Sequence, residues 1–443
     1  MHDSVSPTVK RKVAVLILGG GRGTRLYPLT LKRSKPAVPF AGRYRLVDIA
    51  LSRCIHARLL NLHVLTQYNS ASLHLHINRT YRFDAFNKGG IQVLAASQFY
   101  MQDDREQWFL GSADAVRKTL NHYSQGSEPY QHFLILAGDQ IHELDVEAML
   151  AHHLAEDADF TIAGTPIHGE QLSKYGVLKS SVTGRVSGFL EKPSQDHPEL
   201  PDFRRSVGSK ADKLQPEKPY WGSMGSYLIR AEILRDILRE GSPDFGSGAV
   251  PYAAHNYKMM LYPHLGFFED IGVFETFFDV HIRMAEGCLP INLYHSDTSL
   301  YTYRRELPPA MFSGSSSVEK SLVVEGSVMG DQLKLKSSLV GVRSIVQRDC
   351  SLYKTYLMGN DFYPCHDNIP QVVNTGSKNL EIGIGANCRI ANAIIDKNCS
   401  IGSGCRIGLD PDKLKDGDYQ GYSIHKGIVI IPKGSVLPSN TII

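Results

Sequence analysis

The sequence predicts an α/β domain with a mostly parallel sheet, followed by a parallel β-helix. Two periodicities and one interruption predict it. Through residues 1–300, short apolar runs alternate with amphipathic helical stretches, the pattern of strands covered on both faces by helices. Residues 301–316 break that pattern with Pro308-Pro309 and the small polar run Ser313–Ser317, as a linker does. Residues 317–443 replace the helical period with a six-residue rhythm, the repeat of a β-helix in which each short strand sends one aliphatic side chain inward.

Strands are expected at Val13–Leu18, Leu62–Thr66, Phe133–Ala137, Phe160–Gly164 and Ser226–Ile229. Helices are expected at Val47–Ala57, Ala113–Tyr123, Val146–Ala155 and Ala231–Arg239. In the repeat region Ile384 and Ile390 stand six apart, as do Ile395, Ile401 and Ile407, with one five-residue step between Ile390 and Ile395. Cys388, Cys399 and Cys405 each lie two residues before a repeat isoleucine, so strand alternation turns them inward as small core residues. Val318/Val324 and Leu339–Val346 read as rougher coils of the same helix.

Composition excludes several classes. A net charge of +3 over 443 residues gives no reason to expect a nucleic-acid partner. No apolar run approaches the roughly 20 residues of a membrane helix, and MHDSVSPTVKRK lacks the apolar centre of a signal peptide. Seven cysteines without a CxxC pair argue against a disulfide framework or a zinc site, and a cytoplasmic setting is expected. The histidine pairs His74/His76 and His152-His153 read as solvated helix faces rather than metal ligands.

The chemistry concentrates at the ends of strands, where ligands bind on open α/β sheets. Val13–Leu18 runs into Gly19-Gly20-Gly21 and then Arg22, Arg25, Lys32, Arg33 and Lys35. Glycine lets backbone amides approach phosphate closely, and the cations supply countercharge. The string is not a Walker A loop, and Thr24 stands where a dinucleotide fingerprint needs its third glycine. Asp139 follows the apolar strand Phe133–Ala137, and Asp270 follows Phe267-Phe268-Glu269. Either aspartate alone also reads as a turn or cap residue; together with a triphosphate they suit Mg²⁺, which takes a few carboxylates plus phosphate and water. Glu191-Lys192-Pro193 offers a phosphate clamp or an ordinary surface pair, and Gly222–Tyr227 offers small polar groups for a sugar.

The loop GGGRGTRLYPLT, followed by Lys35-Pro36, resembles the signature of sugar-nucleotide pyrophosphorylases. YRLVDIALSRC, TQYNSASLHLHINRTY, WFLGSADAVRK, LILAGD, EKP, SMGSY, EDIG, LPPAMF and GIVIIPKG extend the likeness nearly end to end, to the glucose-1-phosphate adenylyltransferases. The resemblance implies a Rossmann-like nucleotidyltransferase domain joined to a left-handed β-helix, and transfer of the ATP adenylyl group to glucose 1-phosphate. It implies ATP contacts at Gly20, Gly21, Arg22, Gly23, Thr24 and Gln98, with Arg25 and Lys35 catalytic and Asp139 and Asp270 holding Mg²⁺. Phe109, Gly176, Glu191, Lys192, Ser223, Tyr227 and Asp244 would bind glucose 1-phosphate. Lys32, Arg45 and Lys426 would belong to sites for anionic allosteric effectors, in a homotetramer. Departures from the family pattern fall at Gly248, Phe267-Phe268, Arg53, His56 and Leu110. A pyrophosphorylase for another nucleotide or sugar, and a regulatory non-catalytic subunit of the same fold, remain open.

Overall fold

The computed structural model describes residues 5–21, 23–84, 89–96, 108–123, 129–205, 215–239, 241–364 and 382–443. Arg22 and Gln98 lie outside them. Val13–Leu18 is the central strand of a nine-stranded sheet, because VAVLIL is apolar on both faces and both faces are covered. It pairs in parallel with Asn61–Thr66 on one side and His132–Ala137 on the other, and Gly90–Ala95 extends the parallel run. Phe160–Ile167 and Met259–Pro263 also pair in parallel. The strand expected over Ser226–Ile229 is longer, Tyr220–Arg230, and runs antiparallel to His132–Ala137 and Phe160–Ile167. Apolar pattern reports burial and not direction, so nothing in the sequence foretold that reversal. Helices Leu46–His56, Ser112–Tyr123, Val146–Ala155 and Ala231–Arg239 lie within a residue of the expected ones. No helix among the described residues is long and apolar enough to cross a membrane.

The second half is a solenoid of parallel strands. Ile384 pairs with Ile401 and Ile390 with Ile407, so one coil advances 17 residues, two six-residue steps and one five-residue step. Cys388, Cys399 and Cys405 are buried in its interior among Ile390, Ile395, Ile401 and Ile407. The strand Met311–Phe312, which pairs with Val328–Met329 to open the solenoid, lies inside the stretch expected as linker. That stretch is anchored: the Tyr301 amide donates to Ser52 Oγ at 2.8 Å, and the Tyr301 ring stacks on His56 at 4.8 Å.

One apolar core joins the two halves. Phe40, Leu46, Ile141 and Phe277 pack with Leu339, Tyr356, Ile394 and Ile430. Gly42, at φ +70, sits where a Cβ would meet the Gly341 Cα at 2.9 Å, so the chains touch backbone to backbone. A buried ion pair crosses the same seam, Arg33 Nη1 to both oxygens of Asp396 at 2.9 Å.

The histidine expectation is corrected. His76 is buried and bonds Asp48 Oδ1 at 2.6 Å, and His153 is buried and bonds Thr161 Oγ1 at 2.8 Å. Those rings face the core because their partners lie on neighbouring elements, a fact that local spacing does not carry. Burial pushes His63, His132, His142, His153 and His281 down to about 3–4. Unfolded imidazoles therefore bind protons first as pH falls through ~6.5, and folding stability is lost on the acid side. The unfolding free energy from urea titrations should be level above pH ~6.5 and fall by roughly 1–2 kcal/mol per histidine between pH 7 and 5, with the midpoints falling in step. Unchanged midpoints over that interval would refute the neutral buried rings.

Candidate active site

Leu18 stands opposite Ala137 in adjacent parallel strands, so the glycine loop and Gly138-Asp139 leave the sheet side by side. The Gly138 amide donates to the Leu18 carbonyl at 3.0 Å and the Gly19 amide to Leu65 at 2.8 Å. A Cβ at Gly21 would meet nothing within 4 Å, which leaves that backbone open to a ligand. Gly23 takes φ +65, and a Cβ there would strike Thr30 at 2.8 Å. Thr24 opens the short turn Thr24–Leu26 that carries Arg25. The Arg25 guanidinium lies 3.5 Å from the Cβ position of Gly272, beside the segment that carries Asp270.

Gln140–His142 pairs antiparallel with Phe268–Asp270, and Asp270 stands opposite Gln140. The residue after Asp139 is thereby locked across from the second carboxylate. Lys35 Nζ closes the group at 2.6 Å from Asp139 Oδ2 and 3.9 Å from Asp270 Oδ1. Burial raises the Asp270 carboxyl above its ordinary range and the Asp139 charge raises it further, against Lys35, Arg25 and Lys192. Two crowded carboxylates, one of which, Asp270, lines an open cavity, are a donor set that fits a divalent cation. Among the described residues no group of three or more His, Cys, Asp or Glu could hold a metal.

A cavity of about 390 Å³ adjoins the carboxylates, lined by Gly176, Glu191, Lys192, Ser223, Tyr227, Asp244 and Asp270 among others. Six of the seven residues expected to hold the sugar phosphate thus meet there. Phe109 does not line it; it is buried against Gly20 and Gln67, with its amide on Gln67 Oε1 at 2.8 Å. Lys192 takes φ +46, a left-handed conformation that sets its side chain, and its Nζ lies 3.1 Å from Glu191 Oε1. Asp244 Oδ1 accepts from the Ser112 amide at 2.9 Å and its hydroxyl at 3.1 Å, so the first turn of helix Ser112–Tyr123 fixes that carboxylate. Burial raises the Tyr227 phenol, keeping it a neutral hydrogen-bond donor.

Gln140, Ser112 and Gly246 also line the cavity and were not expected there. Gln140 Oε1 is buried without a hydrogen-bond partner among the described residues. A Cβ on Gly246 would sit 2.5 Å from Glu191 Oε2, and one on Gly176 would sit 2.1 Å from the Phe189 ring. Gly246→Ala should therefore displace Glu191 and raise the KM for the sugar phosphate about tenfold or more, with less effect on that for nucleotide. Equal KM values in variant and parent would rule this out.

Lys32, Arg45 and Lys426 are not among the residues lining that cavity. Lys32 Nζ donates to the Lys433 carbonyl at 3.1 Å across the seam. Arg45 donates to Ser72 Oγ at 2.7 Å, and burial lowers its guanidinium to about 10. Lys426 Nζ pairs with Glu275 Oε1 at 2.5 Å, tying the β-helix to helix Phe274–Ala285 just after Asp270.

Fold and site together define a nucleotidyl transferase carrying a β-helix. Residues 14–287 match the nucleotidyl transferase family, and residues 305–442 match the GlgC left-handed parallel β-helix domain. The chain is 36% identical over 452 residues, all of this chain and 93% of the relative, to the wheat (Triticum aestivum) protein described as glucose-1-phosphate adenylyltransferase small subunit, chloroplastic/amyloplastic. The chain belongs to the glucose-1-phosphate adenylyltransferase family.

Proposed function

We infer that this chain transfers the adenylyl group of ATP to α-D-glucose 1-phosphate, releasing pyrophosphate and giving ADP-glucose, the committed step of glycogen or starch synthesis. The observation that carries this reading is the meeting of Lys35, Asp139 and Asp270 at the edge of a cavity lined by Glu191 and Lys192. The nucleophile is a phosphate oxygen of the sugar phosphate, largely ionised at neutral pH because its second pKa is about 6, so no general base is needed. It attacks the α-phosphorus of ATP; the new P–O bond forms as the bond to pyrophosphate breaks. The protein's task is to hold two polyanions in line and to neutralise them.

We assign the ATP phosphates to the backbone of Gly20, Gly21 and Gly23 and to Arg25, with Lys35 beside the departing pyrophosphate. Lys192 takes the phosphate of the sugar, and Glu191, Asp244, Ser223 and Tyr227 take its hydroxyls. Mg²⁺ held by Asp139 and Asp270 would supply countercharge to the phosphates. A silent regulatory subunit would have no use for this full set, which favours the catalytic reading.

The reading extends to regulation and assembly. Lys32, Arg45 and Lys426 would serve the binding of anionic effectors, and Lys426, paired with Glu275, would carry the response to helix Phe274–Ala285. Exposed Met311, Phe312 and Val318 on the first coil support self-association, as a homotetramer. The free thiols Cys54, Cys288, Cys350, Cys388, Cys399 and Cys405 suit a reducing cytoplasm.

A panel of nucleoside triphosphates against sugar 1-phosphates tests the assignment. ATP with glucose 1-phosphate should give the highest kcat/KM; preference for another pair would overturn it. In the same assay Lys192→Ala should raise the KM for glucose 1-phosphate by about 10²-fold, a lost charged hydrogen bond of ~3 kcal/mol, and leave kcat within a few-fold.

A further inference from the structure

A second cleft, of about 400 Å³, lies at the end of helix Ala71–Thr80 where the connector Tyr301–Arg304 crosses it. Arg79, Arg82 and Arg304 line it beside Tyr81, Phe83 and Tyr301. All three arginines are exposed. Carboxylates, by contrast, answer cations elsewhere: Glu325 faces Arg43, Asp396 faces Arg33, and Asp361 faces Lys397 and Lys433. No such ion pair to a described residue is made by the three arginines of the cleft. Like charges gathered round one concavity set up a positive field there, and that field attracts an anion.

The aromatic groups narrow the choice. The Tyr81 hydroxyl is already committed, donating to Asp48 Oδ1 at 2.7 Å and lying 3.1 Å from the Tyr301 carbonyl. One face of the Tyr301 ring is covered by His56 at 4.8 Å. What these residues offer a ligand is therefore ring surface and not a hydroxyl. Guanidinium forks match phosphate oxygens, and ring faces match a planar or apolar body. The volume is that of a small-molecule site.

We propose that this cleft binds a phosphate ester with an aromatic or apolar body, separately from the substrate cavity and from the seam cations. The site also touches the interior. Asp48, which receives the Tyr81 hydroxyl, accepts the Arg45 amide at 2.9 Å and pairs with His76 at 2.6 Å.

Calorimetric titration of the full-length protein with phenyl phosphate, inorganic phosphate and phenol tests the proposal. Phenyl phosphate should bind at least about tenfold more tightly than either fragment, because it alone uses both the charge and the ring surface. Arg79→Ala with Arg304→Ala should weaken phenyl phosphate by about tenfold or more. Phe83→Ser should reduce it to the level of inorganic phosphate. Lys192→Ala, in the substrate cavity, and Lys32→Ala, at the seam, should leave this binding in place. The proposal fails if the parent protein does not bind phenyl phosphate, if the arginine pair has no effect, or if Lys192→Ala or Lys32→Ala abolishes binding. None of those results bears on adenylyl transfer, which is measured separately by pyrophosphate release.

Discussion

Asp139→Asn is expected to lower kcat by about 10²–10³-fold, ~3–4 kcal/mol of transition-state stabilisation, while both substrate KM values change little. The asparagine keeps the size and the strand connection of Asp139 but removes its charge. Lys35 Nζ, now 2.6 Å from Asp139 Oδ2, loses its nearest anchor and is left with Asp270 at 3.9 Å. One of the two carboxylates assigned to the cation is lost with it. The sugar cavity stays whole, since Glu191, Lys192 and Asp244 take their positions from other elements. Steady-state kinetics checks this directly, and a near-parental kcat would remove Asp139 from the mechanism.

Asp396→Ala should give the largest loss of stability, about 3–5 kcal/mol, because it strands a buried cation. The Arg33 and Asp396 side chains are 4% and 1% exposed, and Arg33 Nη1 reaches both carboxylate oxygens. Arg33 Nη2 is buried with no hydrogen-bond partner among the described residues even with Asp396 present. Pairing Asp396→Leu with Arg33→Met should restore most of the stability, since replacing a buried ion pair by apolar groups is often close to neutral. Urea unfolding of the parent and of these two variants separates the outcomes. An Asp396→Ala midpoint equal to the parent would mean the pair is not desolvated as described.

The contrast between those two residues explains what the sequence made legible. Asp139 announces itself because a buried strand and a glycine precede it in the chain. The solenoid announces itself because Ile384 to Ile407 repeat with a 17-residue coil, so inward positions recur there where a reader looks for them. Arg33 and Asp396 stand 363 residues apart, and no local pattern joins them. His76 is similar: its partner Asp48 lies on another helix, 28 residues away, so helical spacing could not say which way the ring turned. Gln140 and Gly246 escaped for a third reason. Their role depends on what stands opposite, Asp270 across a two-stranded ribbon and Glu191 packed directly against Gly246. Gln140 could have been suspected as the neighbour of Asp139, and Gly246 as the last residue of the family-like string Asp244-Phe245-Gly246.

Pyrophosphate release from ATP, followed with and without glucose 1-phosphate in the presence of Mg²⁺, tests the central claim most directly. Release should depend on glucose 1-phosphate and match ADP-glucose formed mole for mole. Release without the sugar phosphate, or no release with both substrates present, would contradict it.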